Sequence, residues 1–215
     1  MNETIPNKIK RANKIIDILS REYPDAKVHL DYESPFQLLI STILAAQCTD
    51  VKVNQVMREL YKKYKEPADF VKAKPETLQN ELKEITFFRQ KTRAVQNCCK
   101  SLVENFKGKV PNTIDDLTSL SGVGRKTANV ILANCFGKPA IITDTHVIRL
   151  SQRMEFSENE TGDKIESDLL KIIPEEKQIS YSLSVSEHGR QVCKARKPKC
   201  AECVINELCP SNGKV

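Results

Sequence analysis

The densest chemistry in the sequence lies near its C-terminus, where Cys193, Cys200, Cys203 and Cys209 follow the pattern C-x6-C-x2-C-x5-C. Four thiolates at such short spacing can surround one metal centre, either a tetrahedral zinc or a cubane iron–sulfur cluster. Zinc sites built from two knuckles carry two C-x2-C pairs. Here there is one pair with unequal outer spacings, which favours the cluster. The other cysteines, Cys48, Cys98, Cys99 and Cys135, sit in apolar helical patterns, where a free thiol serves as a small core residue. Between the first two clustered cysteines run Lys194, Arg196, Lys197 and Lys199, cations that can remain solvated or contact phosphate.

A second chemical feature is Leu120-Ser121-Gly122-Val123-Gly124-Arg125-Lys126-Thr127-Ala128, a tight turn between two helical segments. Glycines there permit unusual backbone conformations and let a phosphate approach the N–H groups at the following helix N-terminus. A G-x-G turn alone is an ordinary helix connection. Lys126 adds chemistry to it, because the dipole in the first turn of a helix disfavours a cation, and a neutral amine is a nucleophile. The spacing of a nucleotide-binding phosphate loop is absent. Downstream, Thr143-Asp144-Thr145-His146 opens another helix. Asp144 reads as an N-cap, and equally as a carboxylate able to stabilise a developing positive charge. His146 reads as structural.

The elements that position these residues read as helices throughout. Ser34-Pro35 caps an apolar helix over 36–46, central and buried, and Asp50 is placed to cap the next. Pro75 opens a short helix. Val95, Cys98, Cys99, Leu102, Val103 and Phe106 form a stripe that ends at Gly108 and Pro111. Further helices are expected from Thr113 to Leu120, Arg125 to Phe136, Asp144 to Leu150, Ile165 to Ile173 and Ile179 to Val192. There is no strand pair and no internal repeat. The fold class is therefore all-α, with no flexible linker to separate its parts.

With 40% hydrophobic and 29% charged residues in a chain of 215, the composition is that of a globular protein of one or two domains. No apolar run approaches a membrane span, and the polar stretch 1–16 holds no signal-peptide core, so an intracellular protein is expected. That compartment also argues against disulfides. The formal net charge of +6 is compatible with a nucleic acid partner without requiring one.

Taken in order, these motifs resemble the endonuclease III family of helix-hairpin-helix DNA glycosylases. The resemblance rests on Ser41 to Asp50, Leu120 to Ala128, Thr143 to His146, His188-Gly189-Arg190 and the cysteine pattern, and spans the chain from about Ile9 to Cys209. It implies a bifunctional DNA glycosylase and abasic-site lyase of base excision repair, acting on oxidised pyrimidines such as thymine glycol in damaged double-stranded DNA. It implies Lys126 as the nucleophile at the sugar C1′ and Asp144 as its assistant. Gln47 and Phe87 would fill the gap left by a flipped base. Gly122, Val123, Gly124 and Arg125 would contact the DNA backbone together with the basic loop. A [4Fe-4S] cluster would be held by the four clustered cysteines.

The implied layout is two closely packed helical domains. A six-helix barrel with the hairpin would span 28–138. The cluster domain would be built from 1–27 and 139–215, with a DNA cleft between the two. A monomer in a bacterial or archaeal cytoplasm, associated with the nucleoid, is the simplest setting. Two departures stand out: Thr86 precedes Phe87 where the family commonly has glycine, and Ser184-Val185-Ser186-Glu187 replaces a more hydrophobic stretch before His188. Adenine-specific relatives generally lack the hairpin lysine and carry an extra C-terminal domain, whereas this chain has Lys126 and stops six residues after Cys209.

Overall fold

The structure, a computed structural model, describes residues 3–215, and among these all regular structure is helical. In chain order the helices are α1 (Ile5–Glu22), α2 (Pro35–Ala45), α3 (Asp50–Lys63), α4 (Pro67–Lys72), α5 (Pro75–Glu81), α6 (Phe88–Phe106), α7 (Ile114–Ser119), α8 (Arg125–Phe136), α9 (Thr145–Arg153), α10 (Gly162–Leu169) and α11 (Gln178–Gln191). Short 3-10 turns at Glu175–Lys177, Cys200–Glu202 and Asn206–Leu208 complete the set. No helix among the described residues is long and apolar enough to cross a membrane. The chain forms two compact units, His29–Gly137 and a discontinuous one made of Met1–Val28 with Lys138–Val215.

The His29–Gly137 unit is organised around α2. Ser34 caps this helix by accepting the Gln37 N–H at 3.2 Å, and Pro35 stands at its first position, where the missing N–H costs nothing. Leu38, Leu39, Ile40 and Leu44 are fully buried, as an apolar run on all sides requires. Helix α2 packs against α3, α6 and α8, while α4 and α5 lie along α6. The cap of α3 is Thr49, whose hydroxyl accepts the Lys52 N–H, rather than Asp50. Asp50 is the first helical residue instead, where its charge favours the helix dipole.

The discontinuous unit has its own core. Ala12, Ile15, Ile16 and Leu19 of α1 join Val147 and Leu150 of α9, Ile165 and Leu169 of α10, and Tyr181 and Val185 of α11. Burying each large aliphatic side chain contributes about 1.5–3 kcal/mol. The spacing of these residues places them on one face of each helix. The buried Tyr181 hydroxyl meets Ser151 Oγ at 2.9 Å, so the core carries its polar atom without penalty. Helix α11 packs against both α1 and α9, and this contact places the Asp144 segment.

Candidate functional site

The glycine turn joins α7 to α8. Its Val123 N–H donates to the Leu120 carbonyl at 3.1 Å, closing a tight loop. Gly122 has φ +78, and a Cβ there would lie 3.0 Å from Ala94 Cβ and 3.2 Å from Ile43 Cγ2. Glycine is therefore needed twice over, for the left-handed backbone and for close approach to α6 and α2. Gly124 is different: it caps α8 in an extended conformation, and a Cβ there would meet nothing within 4 Å. The Val123 side chain is buried, so this residue anchors the turn and offers an outside partner only its backbone. Arg125 and Lys126 are the first two residues of α8 and both are exposed. The arrangement presents a helix N-terminus, an open glycine and a primary amine on one short stretch, as an anion-gripping turn with a nucleophile requires.

Gln47 and Phe87 are also in the His29–Gly137 unit, and both are exposed residues with left-handed backbone, φ 54 and φ 58. Such angles are uncommon outside glycine and mark positions over-determined by their surroundings. The positive φ falls on Phe87 itself, with Thr86 before it, so the turn forms without a glycine at position 86. One buried residue, Lys91, ties the two loops together. Its N–H donates to the Phe87 carbonyl at 3.1 Å, and its ammonium donates to the Leu44 and Ala46 carbonyls at 2.9 and 2.5 Å. The ammonium thus closes the C-terminal end of α2 just before Gln47. Burial pushes its pKa down, and the carbonyl bonds compensate the charge in part. Sequence reasoning missed Lys91, although a lysine one turn before Val95, in line with the buried stripe of α6, was the available signal.

Asp144 lies in the discontinuous unit, at the N-cap of α9. Its Oδ1 accepts the N–H groups of His146 at 2.9 Å and Val147 at 2.7 Å, and Ser186 Oγ bonds Oδ2 at 2.5 Å. His146 Nδ1 accepts from Arg149 Nη2 at 3.1 Å, since a guanidinium can only donate, and burial lowers the pKa of the ring. Ser186 was not singled out as a site residue, though its stretch was noted as a departure. The polar i, i+4 pair of Ser182 and Ser186 in a helix with buried neighbours was the clue.

The cysteine segment is held from below by two arginines of α9. Arg149 donates to the Gly189 and Cys193 carbonyls, and Arg153 donates to Cys193 Sγ at 3.2 Å and to the Lys194 and Ala195 carbonyls. Lys194, Arg196, Lys197 and Lys199 are all exposed on the loop so formed, and Lys199 pairs with Glu202 at 3.2 Å. Cys193, Cys200, Cys203 and Cys209 line one cavity with Leu150, Met154 and Ile205. Four thiols that line one cavity supply the donor set of an iron–sulfur cluster.

Polar groups also approach the sulfurs. His188 is buried, which lowers its pKa to about 4 and keeps it neutral. Burial also pushes the Tyr23 hydroxyl up to about 12, and this hydroxyl meets His188 Nδ1 at 3.0 Å. The other ring nitrogen, Nε2, faces Cys203 Sγ at 3.3 Å. Burial pushes the Cys203 and Cys209 thiols up, so ligation must release protons.

Comparison with known proteins agrees with this geometry. Residues 40–175 match the HhH-GPD superfamily of base excision DNA repair proteins. Residues 193–209 match the iron–sulfur binding domain of endonuclease III. The endonuclease III of Synechocystis sp. is 44% identical, over 95% of this chain and 94% of its own length. A non-covalent endonuclease III–DNA complex superposes with a TM-score of 0.90 at 38% identity, covering 96% of this chain and 97% of that one. A trapped endonuclease III–DNA covalent intermediate superposes with the same score, identity and coverage. The chain is a base excision repair enzyme that binds DNA and carries a [4Fe-4S] cluster, and it belongs to the endonuclease III family of helix-hairpin-helix DNA glycosylases with abasic-site lyase activity.

Proposed function

We propose that this enzyme removes oxidised pyrimidines, such as thymine glycol, from duplex DNA and cuts the strand 3′ to the resulting abasic site. The observation that carries the reading is the exposed Lys126 amine at the second position of α8, immediately after the open Gly124. A relative at 38% identity trapped covalently on DNA supports an enzyme-bound intermediate.

The reaction begins with the damaged nucleotide turned out of the stack, since its sugar carbon is inaccessible inside a duplex. Gln47 and Phe87 fill the space it leaves. The hairpin of Gly122, Val123, Gly124 and Arg125 holds phosphates, and so do Lys194, Arg196, Lys197 and Lys199. The Lys126 nitrogen uses its lone pair to attack C1′, the glycosidic C–N bond breaks, and the base departs with the bonding electrons. The Asp144 carboxylate stabilises the positive charge on the sugar as that bond lengthens. Opening of the sugar ring gives a Schiff base. Loss of a C2′ proton then expels the 3′ phosphate by β-elimination, and water releases the enzyme.

Cys193, Cys200, Cys203 and Cys209 are the proposed cluster ligands. Four cysteine ligands leave no open coordination position for substrate, so the cluster's task is to order the basic loop and the C-terminal fold. The layout proposed is that of the family, a six-helix barrel over 28–138 with a cluster domain from 1–27 and 139–215. The enzyme is read as a monomer acting on DNA in a bacterial or archaeal cytoplasm. On a duplex with one thymine glycol, the expected products are free damaged base and a strand cut 3′ to the lesion. An intact thymine-glycol strand, alongside release of thymine from a mismatch, would assign the enzyme to another lesion class.

A further inference from the structure

Helix α11 lays a row of small side chains along the extended segment that carries Asp144. Ser182 Oγ accepts the Ile142 N–H at 2.9 Å, Ser186 Oγ meets Asp144 Oδ2 at 2.5 Å, and at Gly189 a Cβ would lie 2.8 Å from His146 Cβ. Positions 182, 186 and 189 share one helix face, and they meet Ile142 and Asp144 on the extended chain and His146 in the first turn of α9. The register between helix and segment is therefore set at three successive points.

Within this contact Asp144 is held unevenly. Both backbone N–H bonds go to Oδ1, which fixes one end of the carboxylate and leaves Oδ2 to swing. The Ser186 hydroxyl is the donor that fixes Oδ2, because a carboxylate can only accept. Both groups are half-buried, where a charge-assisted bond of this length keeps its strength.

We propose that Ser186 is a positioning residue for Asp144, setting the plane of its carboxylate for the base-excision step. This rests on the reading of Asp144 as the group that stabilises charge on the sugar. Two effects of the hydroxyl oppose each other. It withdraws some charge from Oδ2, which weakens the carboxylate's pull on a cation. It also fixes the carboxylate in space, and misplacement by about 1 Å costs on the order of 100-fold in rate. Orientation is the larger effect.

The test uses the full-length, cluster-loaded enzyme and single-turnover excision of thymine glycol at saturating enzyme. Ser186→Ala is expected to slow excision about tenfold, between no effect and full misplacement. Its Kd for an uncleavable abasic-analogue duplex and its cluster absorbance should stay those of the parent, while its melting temperature falls modestly with the loss of one charge-assisted bond. Ser186→Thr, which restores the hydroxyl, should return the rate to the parental range. A Ser186→Ala rate equal to the parent's, with Asp144→Asn strongly impaired, would overturn the inference and leave the reading of Asp144 standing. Parental activity in Asp144→Asn would remove that reading, and the inference with it. If Ser186→Ala loses stability, Thr decides: recovery of melting temperature without recovery of rate would also overturn the proposal.

Discussion

At the scale of single residues, the two glycines of the hairpin have different tasks. Gly122 sits at φ +78 with Ala94 Cβ 3.0 Å from where its own Cβ would be, and a methyl group on a packed helix has no flexible end to move aside. Gly122→Ala is expected to destabilise the enzyme by about 2–4 kcal/mol, from backbone strain together with overpacking. Gly124→Ala faces open space at an ordinary φ, so its melting temperature should stay close to the parent's while affinity for duplex DNA falls. Thermal melts and a DNA titration of the pair check this, and the reverse pattern would contradict it. The sequence alone showed that both positions permit unusual backbone. It could not tell them apart, because the difference lies in Ile43 and Ala94, far away in the chain.

At the scale of elements, α10 is tied to the loop before it by one carboxylate. Asp168 accepts from Ser157 Oγ at 2.7 Å, Asn159 Nδ2 at 2.7 Å and Lys171 Nζ at 3.0 Å. The Ser157 bond above all, with Lys171 and Asn159, holds its pKa at about 2. The folded value is below the unfolded one, so this stabilisation is complete above the unfolded pKa near 4 and is lost as pH falls toward 2. Its size is about 1–2 kcal/mol once solvent screening is allowed for. Asp168→Asn should therefore be less stable than the parent in urea at pH 7, and the difference should narrow below pH 4. A difference that is constant with pH would assign the loss to packing instead. Helix positions were legible from apolar periodicity and caps. The bonds between elements were less so: Lys91 belongs by spacing to an apolar stripe, and only the backbone carbonyls at the end of α2 explain its presence.

At the scale of the whole molecule, periodicity identifies an apolar face but not what covers it. Ile15, Ile16 and Leu19 of α1 pack in one core with Tyr181 and Val185, more than 150 residues on in the chain. The cluster segment was legible for a different reason, since four cysteines in seventeen residues leave few chemical options. What spacing could not show is the support around it, from Arg149 and Arg153, which have no signature of their own, and from His188, whose motif does not reveal its contact with Cys203. These scales meet in one amine, Lys126. Its most direct test is borohydride trapping on duplex DNA carrying a single thymine glycol. The parent enzyme is expected to form a covalent protein–DNA adduct, and Lys126→Gln none. An adduct that persists in Lys126→Gln would show that another group attacks the sugar.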